Sequence, residues 1–173
     1  MFYFAYGSNM STARLRARVP SARVLGPGRL PGHALRFHKS SEADGSAKCD
    51  ACHTADAGDT VQGVVFRIDP GERPHLDRAE GLGVGYAVKE VAVHLDGGDR
   101  VAAFTYYAVA IDPRLRPYHW YKEHVLRGAL EHGLPEPYVE VIRAVESCSD
   151  PQAERHRREL AIYGEGQGPG PGC

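Results

Sequence analysis

The first residues able to do chemistry lie close together near the N-terminus, directly after an apolar run. The opening run is aromatic or small and apolar, which predicts a buried strand, and Gly7 then allows a turn. Ser8 and Asn9 follow as polar residues at the end of this rigid element. Ser11 or Thr12 can cap a short helix, so that free backbone N–H groups point into the same turn. This arrangement predicts an anion cradle, although an ordinary strand-to-helix connection has the same local pattern.

Glu80 is the carboxylate whose place in the sequence points to chemistry. It ends a helix predicted over residues 72–80, and the helix dipole disfavours negative charge at a C-terminal end. A glutamate that is simply solvated on the helix surface is the ordinary alternative. The residue type and its place therefore make Glu80 a candidate for acid–base chemistry, with that alternative left open.

Residues 49–53 match the haem-attachment pattern Cys-x-x-Cys-His literally. One of the two methionines is Met1, and no second close pair of cysteine or histidine follows to complete a zinc site. The flanking residues do not predict the helix start that a redox Cys-x-x-Cys requires. The sequence therefore predicts chance spacing of Cys49, Cys52 and His53 in a strand or loop, with no metal and no cofactor.

Composition and absent motifs exclude several classes of function. The chain has 21 Lys and Arg against 22 Asp and Glu, a net charge of -1, so no overall field favours nucleic acid or an anionic membrane. It contains no P-loop, no Gly-x-Gly-x-x-Gly after a strand, no His-Glu-x-x-His and no Gly-x-Ser-x-Gly. The N-terminus lacks the features of a secretory signal, and no apolar run is long enough to cross a membrane. We therefore expect a cytoplasmic protein without nucleic-acid or membrane partners.

The first half of the chain is predicted to form a short helix and short strands. Residues 12–19 suit an amphipathic helix ended by Pro20, and its three arginines are expected to face water: Arg14, Arg16 and Arg18. Two short strands are predicted over residues 23–30, interrupted by Gly26-Pro27-Gly28, and over residues 34–37. Residues 40–59 lack periodicity, which predicts a long loop or broken strands.

The second half of the chain has clearer patterns. Residues 61–68 form the strongest strand pattern, and a hairpin is predicted from Tyr86–Leu95 and residues 100–109 through Asp96-Gly97-Gly98-Asp99. Helices are predicted over residues 117–132, 136–147 and 152–160. Mostly antiparallel strands with helices clustered late predict an α+β fold. The length of 173 residues fits one domain, predicted over residues 1–150, followed over residues 151–173 by a charged segment and a Gly/Pro-rich flexible tail.

Several motifs together resemble one family. Tyr6-Gly7-Ser8-Asn9-Met10 after an N-terminal strand resembles the signature of the γ-glutamylcyclotransferase family, whose usual form is Tyr-Gly-Ser-Asn-Leu. Further pieces follow in the family's order, covering roughly residues 2–146: Asp44-Gly45-Ser46-Ala47-Lys48, with Ala47 in place of a glycine, Gly63-Val64-Val65-Phe66, Leu76-Asp77-Arg78-Ala79-Glu80-Gly81, and Tyr121 through Gly133-Leu134-Pro135.

This resemblance implies a fold and a set of site residues. The fold is a small, strongly bent, mixed but mostly antiparallel β-sheet or barrel packed by a few helices, with the site in its mouth. Glu80 belongs to the family's Glu-Gly pair and is implied as the acid/base residue. The implied substrate-binding residues are Tyr6, Gly7, Ser8, Asn9 and Tyr121, with a core position as the alternative for both tyrosines. Lys48 and Ser46 either reach a substrate carboxylate or lie in a solvated loop.

The implied activity is the cofactor-free conversion of a γ-glutamyl amino acid or amine into 5-oxoproline and the free amine. The substrate's α-amine attacks its own γ-carbonyl, and Glu80 moves the proton. One alternative is removal of a γ-glutamyl protecting group from a biosynthetic intermediate or isopeptide, and another is a non-catalytic module that binds a carboxylate. The expected partner is a small-molecule γ-glutamyl substrate, and the expected state is a monomer or homodimer.

Overall fold

A computed structural model describes residues 1–164 of the chain. The apolar, β-branched and aromatic segments form seven strands in this part: β1 Phe2–Ala5, β2 Arg23–Pro31, β3 His33–Ser40, β4 Ala47–His53, β5 Thr60–Arg67, β6 Tyr86–Leu95 and β7 Arg100–Ala108. The same part contains five α-helices: α1 Thr12–Arg16, α2 Arg73–Glu80, α3 His119–Glu131, α4 Glu136–Ala144 and α5 Ala153–Leu160. The predicted Gly/Pro-rich tail lies, from residue 165 onward, outside the described residues.

Five of the strands close into a barrel in the order β1, β5, β2, β6, β7. Neighbouring strands run antiparallel except β1 and β7, which pair in parallel where Tyr3 lies opposite Phe104. Closure leaves these strands without a free edge, and side chains on both faces of the sheet, such as Phe4 and Phe66, are fully buried. The predicted α+β class and the strongly bent, mixed but mostly antiparallel sheet are both confirmed.

Strands β3 and β4 form a separate two-stranded antiparallel sheet, in which His33 pairs with His53 and Ser40 with Ala47. The sequence predicted a long loop or broken strands over residues 40–59, and the loop is wrong for the seven residues of β4. Cys49, Asp50 and Ala51 are consecutive and all buried, so both faces of this strand are covered. A strand buried on both faces lacks the alternation of apolar and polar residues by which strands are recognised in a sequence.

Other elements agree with the sequence more closely. The predicted hairpin is confirmed, with β6 and β7 paired from Tyr86 opposite Ala108 to His94 opposite Arg100. Strand β2 runs unbroken where an interruption was predicted. After a shift of register between Val24 and Gly26, the segment Gly26-Pro27-Gly28 pairs regularly with β5. Helix α3 begins two residues later than predicted and α4 ends three residues earlier.

Helix α3 packs directly on the turn that follows β1, a 3-10 turn at Ser8–Met10. A Cβ atom added at Gly128 of α3 would lie 2.5 Å from both Met10 Cβ and the Ser11 backbone nitrogen. Only a glycine lets the helix come this close without displacing backbone atoms. The position of the N-terminal turn is therefore set by α3 as well as by β1.

Helix α5 and the residues after it pack against α1 and α3. Arg14 Nη1 lies 2.7 Å from Glu159 Oε2, and the Tyr163 hydroxyl donates to Ser11 Oγ at 3.0 Å. Arg155 forms an ion pair with buried Asp150 at 2.6 Å. Within residues 1–164 no helix is long and apolar enough to cross a membrane.

Candidate active site

The turn after β1 presents unpaired backbone donors. The amide N–H groups of Gly7, Ser8 and Asn9 have no acceptor among residues 1–164, because the bonds of the 3-10 turn begin with Met10 N donating to Gly7 O. Ser11 caps α1, and its Oγ accepts from Arg14 N at 3.4 Å. A Cβ at position 7 would come within 3.0 Å of Cys49 Cβ, so the glycine allows the turn to approach β4. The local geometry is the one that binds anions at helix starts.

A small pocket opens beside this turn. Six of its lining residues are the six site residues expected from the sequence: Tyr6, Gly7, Ser8, Asn9, Glu80 and Tyr121. Four more were not anticipated: Tyr3, Cys49, Tyr86 and Tyr106. Residues far apart in the sequence, from Tyr3 to Tyr121, therefore meet around one small volume.

Glu80 is the last residue of α2 and the only carboxylate that lines this pocket in the described chain. Its Oε1 accepts hydrogen bonds from Asn9 Nδ2 at 2.9 Å and from Arg18 Nη1 at 2.8 Å. Its Oε2 has no hydrogen-bond partner within residues 1–164. The side chain is 15% exposed, so one oxygen is fixed and the other is available to a bound molecule.

Arg18 was expected to face water and does not. Its Nη1 donates both to Glu80 Oε1 and, at 2.9 Å, to Asn9 Oδ1. Arg14 was likewise expected at the surface and instead pairs with Glu159, whereas Arg16 is exposed as predicted. Helical periodicity shows which face of α1 is polar, but it cannot show that α2 and α5 supply partners opposite that face.

Three of the pocket tyrosines use their hydroxyl protons within the protein. Tyr6 donates to the Tyr106 carbonyl at 2.7 Å, Tyr86 donates to the Cys49 carbonyl at 2.5 Å, and Tyr106 donates to Asp77 Oδ1 at 2.5 Å. Tyr6 thus lines the pocket, but its hydroxyl proton is already used in a hydrogen bond within the protein. These three hydrogen bonds hold the pocket walls in place, so the three hydroxyls do not serve as donors to a bound molecule.

The hydroxyls of Tyr3 and Tyr121 both accept hydrogen bonds. Asn9 Nδ2 donates to Tyr3 at 3.1 Å and Cys49 N donates to Tyr121 at 2.9 Å, and the Tyr3 hydroxyl has no acceptor in the described chain. Burial raises the pKa of both hydroxyls, so they stay neutral donors. Burial likewise raises the pKa of the Tyr6, Tyr86 and Tyr106 hydroxyls.

The two cysteines of the Cys-x-x-Cys-His pattern do not act together. They lie three positions apart on β4, so they point to opposite faces of the strand. Cys49 lines the pocket beside Glu80, and Cys52 lies with His53 in a separate cavity. Burial raises the pKa of the Cys49 thiol, which disfavours a nucleophilic thiolate.

One other group of donor atoms has a spacing suited to a metal ion. Side-chain atoms of His38, Asp50 and Cys52 lie within 4.8 Å of one another. The His38 ring and Asp50 Oδ2 are 2.9 Å apart, and Ala108 N donates to Asp50 Oδ1 at 2.8 Å. Since the carboxylate is already bonded inside the protein, its position is explained without an ion, and the expectation of no metal stays a prediction.

Lys48 and Ser46 neither line the pocket, where they could reach a substrate carboxylate, nor lie in a solvated loop. Lys48 Nζ is 2.7 Å from Asp44 Oδ2 and packs 4.9 Å from the ring centres of Trp120 and Tyr121. Ser46 is almost fully buried. The solvated loop is wrong because the turn between β3 and β4 folds onto α3, and neither residue lines the pocket.

Comparisons with known proteins agree on one family. The AIG2-like family model matches residues 60–142. The γ-glutamylcyclotransferases of human and mouse are both 34% identical to this chain, over 147 and 149 residues, covering 83% of this chain and 78% of each relative. A solved structure described as a γ-glutamyl cyclotransferase superposes with a TM-score of 0.80 at 30% identity, over 91% of this chain and 98% of the other.

Proposed function

The chain belongs to the AIG2-like, γ-glutamylcyclotransferase family, and from this premise we propose that it converts γ-glutamyl amino acids or amines into 5-oxoproline and the free amine. The observation that carries the proposal is the pairing of Glu80 with the turn Gly7-Ser8-Asn9 in one pocket. Among the described lining residues Glu80 is the single carboxylate, and the tyrosine and cysteine groups around it are kept neutral by burial.

The proposed reaction needs one proton carrier and no water. Glu80 accepts a proton from the substrate's α-ammonium, and the freed nitrogen attacks the γ-carbonyl carbon to close a five-membered ring. The carbonyl oxygen takes up the negative charge in the tetrahedral intermediate. The bond from this carbon to the departing nitrogen then breaks as Glu80 returns the proton to that nitrogen. The ring nitrogen still carries two protons, and it gives one up through the same carboxylate to the released amine. The products are 5-oxoproline and the amine.

The rest of the pocket would hold the substrate in the geometry of attack. The free amides of Gly7, Ser8 and Asn9 are suited to the developing oxyanion, because they are rigid and need no reorganisation. The unshared hydroxyl proton of Tyr3 is suited to a second acceptor on the substrate. Nucleophile and electrophile belong to one molecule, and effective molarities for such ring closures reach about 10⁵–10⁸ M.

A panel of substrates tests the proposal. The protein is incubated with γ-glutamyl dipeptides, γ-glutamyl amines and an ε-(γ-glutamyl)lysine isopeptide while 5-oxoproline is followed by chromatography. Release of 5-oxoproline supports the cyclotransferase, whereas free glutamate as the primary product indicates an amidase. Binding of these compounds without turnover indicates a carboxylate-binding module.

The choice of nucleophile gives a separate prediction. Because the substrate's own α-amine attacks, a γ-glutamyl peptide blocked by N-acetylation and an α-linked glutamyl peptide should both remain uncleaved. In ¹⁸O-labelled water the free γ-linked peptide should yield 5-oxoproline without the label, measured by mass spectrometry. Finished 5-oxoproline incubated in the same labelled water serves as the control for exchange. If this control takes up no label but the 5-oxoproline formed during turnover does, the mechanism is contradicted.

A cytoplasmic location and a monomeric or homodimeric state belong to the same proposal. Cell fractionation and light scattering of the purified protein measure them.

A further inference from the structure

Tyr163, near the end of the described chain, contacts the residue that joins the N-terminal turn to α1. Its hydroxyl donates to Ser11 Oγ at 3.0 Å. Ser11 is fully buried, its backbone N–H donates to Ser8 O at 3.3 Å, and its side chain caps α1. The capping bond from Arg14 N to Ser11 Oγ is 3.4 Å long, so the bond from Tyr163 is the shorter of the two. The Ser11 side chain is therefore held by the C-terminal segment as well as by its own helix.

A chain of hydrogen bonds fixes the direction of the Tyr163 proton. His124 Nδ1 lies 2.6 Å from the Tyr163 oxygen, and Arg14 Nη1 lies 2.9 Å from His124 Nε2. A guanidinium group only donates, so Nε2 accepts and the proton of the neutral ring sits on Nδ1. Burial lowers the pKa of His124 to about 4, which keeps the ring neutral near pH 7. The imidazole thus donates to the Tyr163 oxygen, and the tyrosine's own proton is directed to Ser11.

The Tyr163 ring is held by contacts that do not involve its hydroxyl. The guanidinium carbon of Arg127 lies 4.4 Å from the centre of the ring, and the centre of the His124 ring lies 5.4 Å from it. The ion pair of Arg14 with Glu159, at 2.7 Å, ties helix α5 to the same cluster just before Tyr163. Removal of the hydroxyl alone therefore leaves the contacts of the ring and of α5 in place.

We propose that Tyr163 is a positioning residue for the reaction: by holding Ser11 it fixes the turn whose free amides face the developing oxyanion. The inference rests on the proposed cyclotransferase activity and gives a part in it to a residue outside the segment that the family model matches, residues 60–142. The link is short, because Ser11 receives the Tyr163 proton and its N–H bonds to the carbonyl of Ser8. Amide donors stabilise an oxyanion best when they need no reorientation during the reaction, so loosening Ser11 weakens them.

Two substrates that differ in one atom test the proposal. γ-Glutamyl-alanine is compared with its γ-thioamide, in which sulfur replaces the γ-carbonyl oxygen, and release of alanine is followed for both. Sulfur accepts hydrogen bonds weakly, so the thioamide gains little from the amides of the turn. Tyr163→Phe should lower kcat about 10-fold on the oxygen substrate, with KM within about two-fold of the wild type, and kcat on the thioamide by less than about two-fold. A purely structural loss of active protein would lower both rates by the same factor.

A double-mutant cycle on the oxygen substrate identifies the contact itself. Ser11→Ala removes the acceptor, so adding Tyr163→Phe to it should change kcat by less than about two-fold. The control is Tyr107→Phe, which removes a tyrosine hydroxyl from the separate cavity that Cys52 lines, and it should keep the wild-type kcat on both substrates.

Three outcomes overturn the proposal: an unchanged kcat in Tyr163→Phe, equal losses of this variant on the two substrates, or additive losses in the double variant. If the wild type forms no 5-oxoproline from γ-glutamyl-alanine or from the other γ-glutamyl compounds, the proposed activity fails, and this inference fails with it.

Discussion

Glu80 is the residue on which the proposed chemistry depends. Glu80→Gln keeps an oxygen for the bonds from Asn9 and Arg18 and removes only the ability to carry the proton. We expect kcat to fall by about 10²- to 10⁴-fold, with KM and the unfolding temperature close to those of the wild type. Steady-state release of 5-oxoproline and thermal unfolding measure these quantities.

The matched control for this change is Glu140→Gln, at an exposed position on α4. It should leave kcat unaffected. If Glu80→Gln turns over within a few-fold of the wild type, Glu80 does not transfer the proton.

Arg18 acts on the same carboxylate from outside the pocket. It holds Glu80 Oε1 at 2.8 Å and Asn9 Oδ1 at 2.9 Å, so Arg18→Met frees both side chains to move. A misplacement of a catalytic group by about 1 Å can cost up to about 100-fold in rate, and we expect kcat to fall by about 10- to 100-fold with a smaller change in KM. Arg16→Met, at the exposed arginine of α1, should keep the wild-type kcat. Equal losses in both variants would mean that Arg18 has no specific effect on Glu80.

At the scale of elements, the contact between α3 and the N-terminal turn decides where the free amides point. Gly128→Ala places a methyl group 2.5 Å from Met10 Cβ and from the Ser11 backbone. Alanine improves helix propensity by about 1 kcal/mol, but overpacking against backbone that cannot rotate away costs about 1–3 kcal/mol. We therefore expect a lower free energy of unfolding in urea and, because the turn shifts, a lower kcat.

Gly97→Ala is the corresponding control in the turn between β6 and β7. A Cβ there meets nothing within 4 Å, so stability and kcat should both stay near their wild-type values. A Gly128→Ala protein as stable and as active as the wild type would show that α3 does not fix the turn.

At the scale of the whole molecule, a buried cluster joins the C-terminal segment to α1 and α3. Burial lowers the pKa of His124 from 6.5 to about 4, and bonds from His124 and Arg14 lower that of Glu159 from 4.5 to about 2. Between pH 6.5 and 4 the unfolded chain protonates the histidine and the folded chain does not, so stability falls as the pH falls. Glu159 adds a further loss between pH 4.5 and 2, because only the folded state keeps it ionised.

The free energy of unfolding, measured in urea at a series of pH values, should therefore decrease from pH 6.5 downward in two overlapping steps. Glu159→Gln should remove the lower step, and Glu154→Gln, at an exposed position on the same helix, should not. A stability that is independent of pH over this range would contradict the pKa values of both groups.

Much of the fold could be predicted because its signals are local. The β6–β7 hairpin is encoded by two alternating segments around a glycine-rich turn, and α2 ends where Gly81 takes a left-handed φ of 68°. The bounds of strand β4 were not predicted, and a loop was left open there, because burial on both faces removes the alternation of apolar and polar residues. Closure of the barrel through the parallel contact of Tyr3 with Phe104 has no local signal, since the two strands are separated by most of the chain.

The sequence by itself determined the candidate site residues, because the motif around Gly7 and the pair Glu80-Gly81 are contiguous and carry a family resemblance. Only the tertiary structure decided what surrounds them. Arg18 meets Glu80 and Tyr163 meets Ser11 through packing between distant elements, and the strand geometry of β4 separates Cys49 from Cys52. Periodicity and spacing report the conformation of one segment, whereas the partner of a side chain depends on which other segment packs against it.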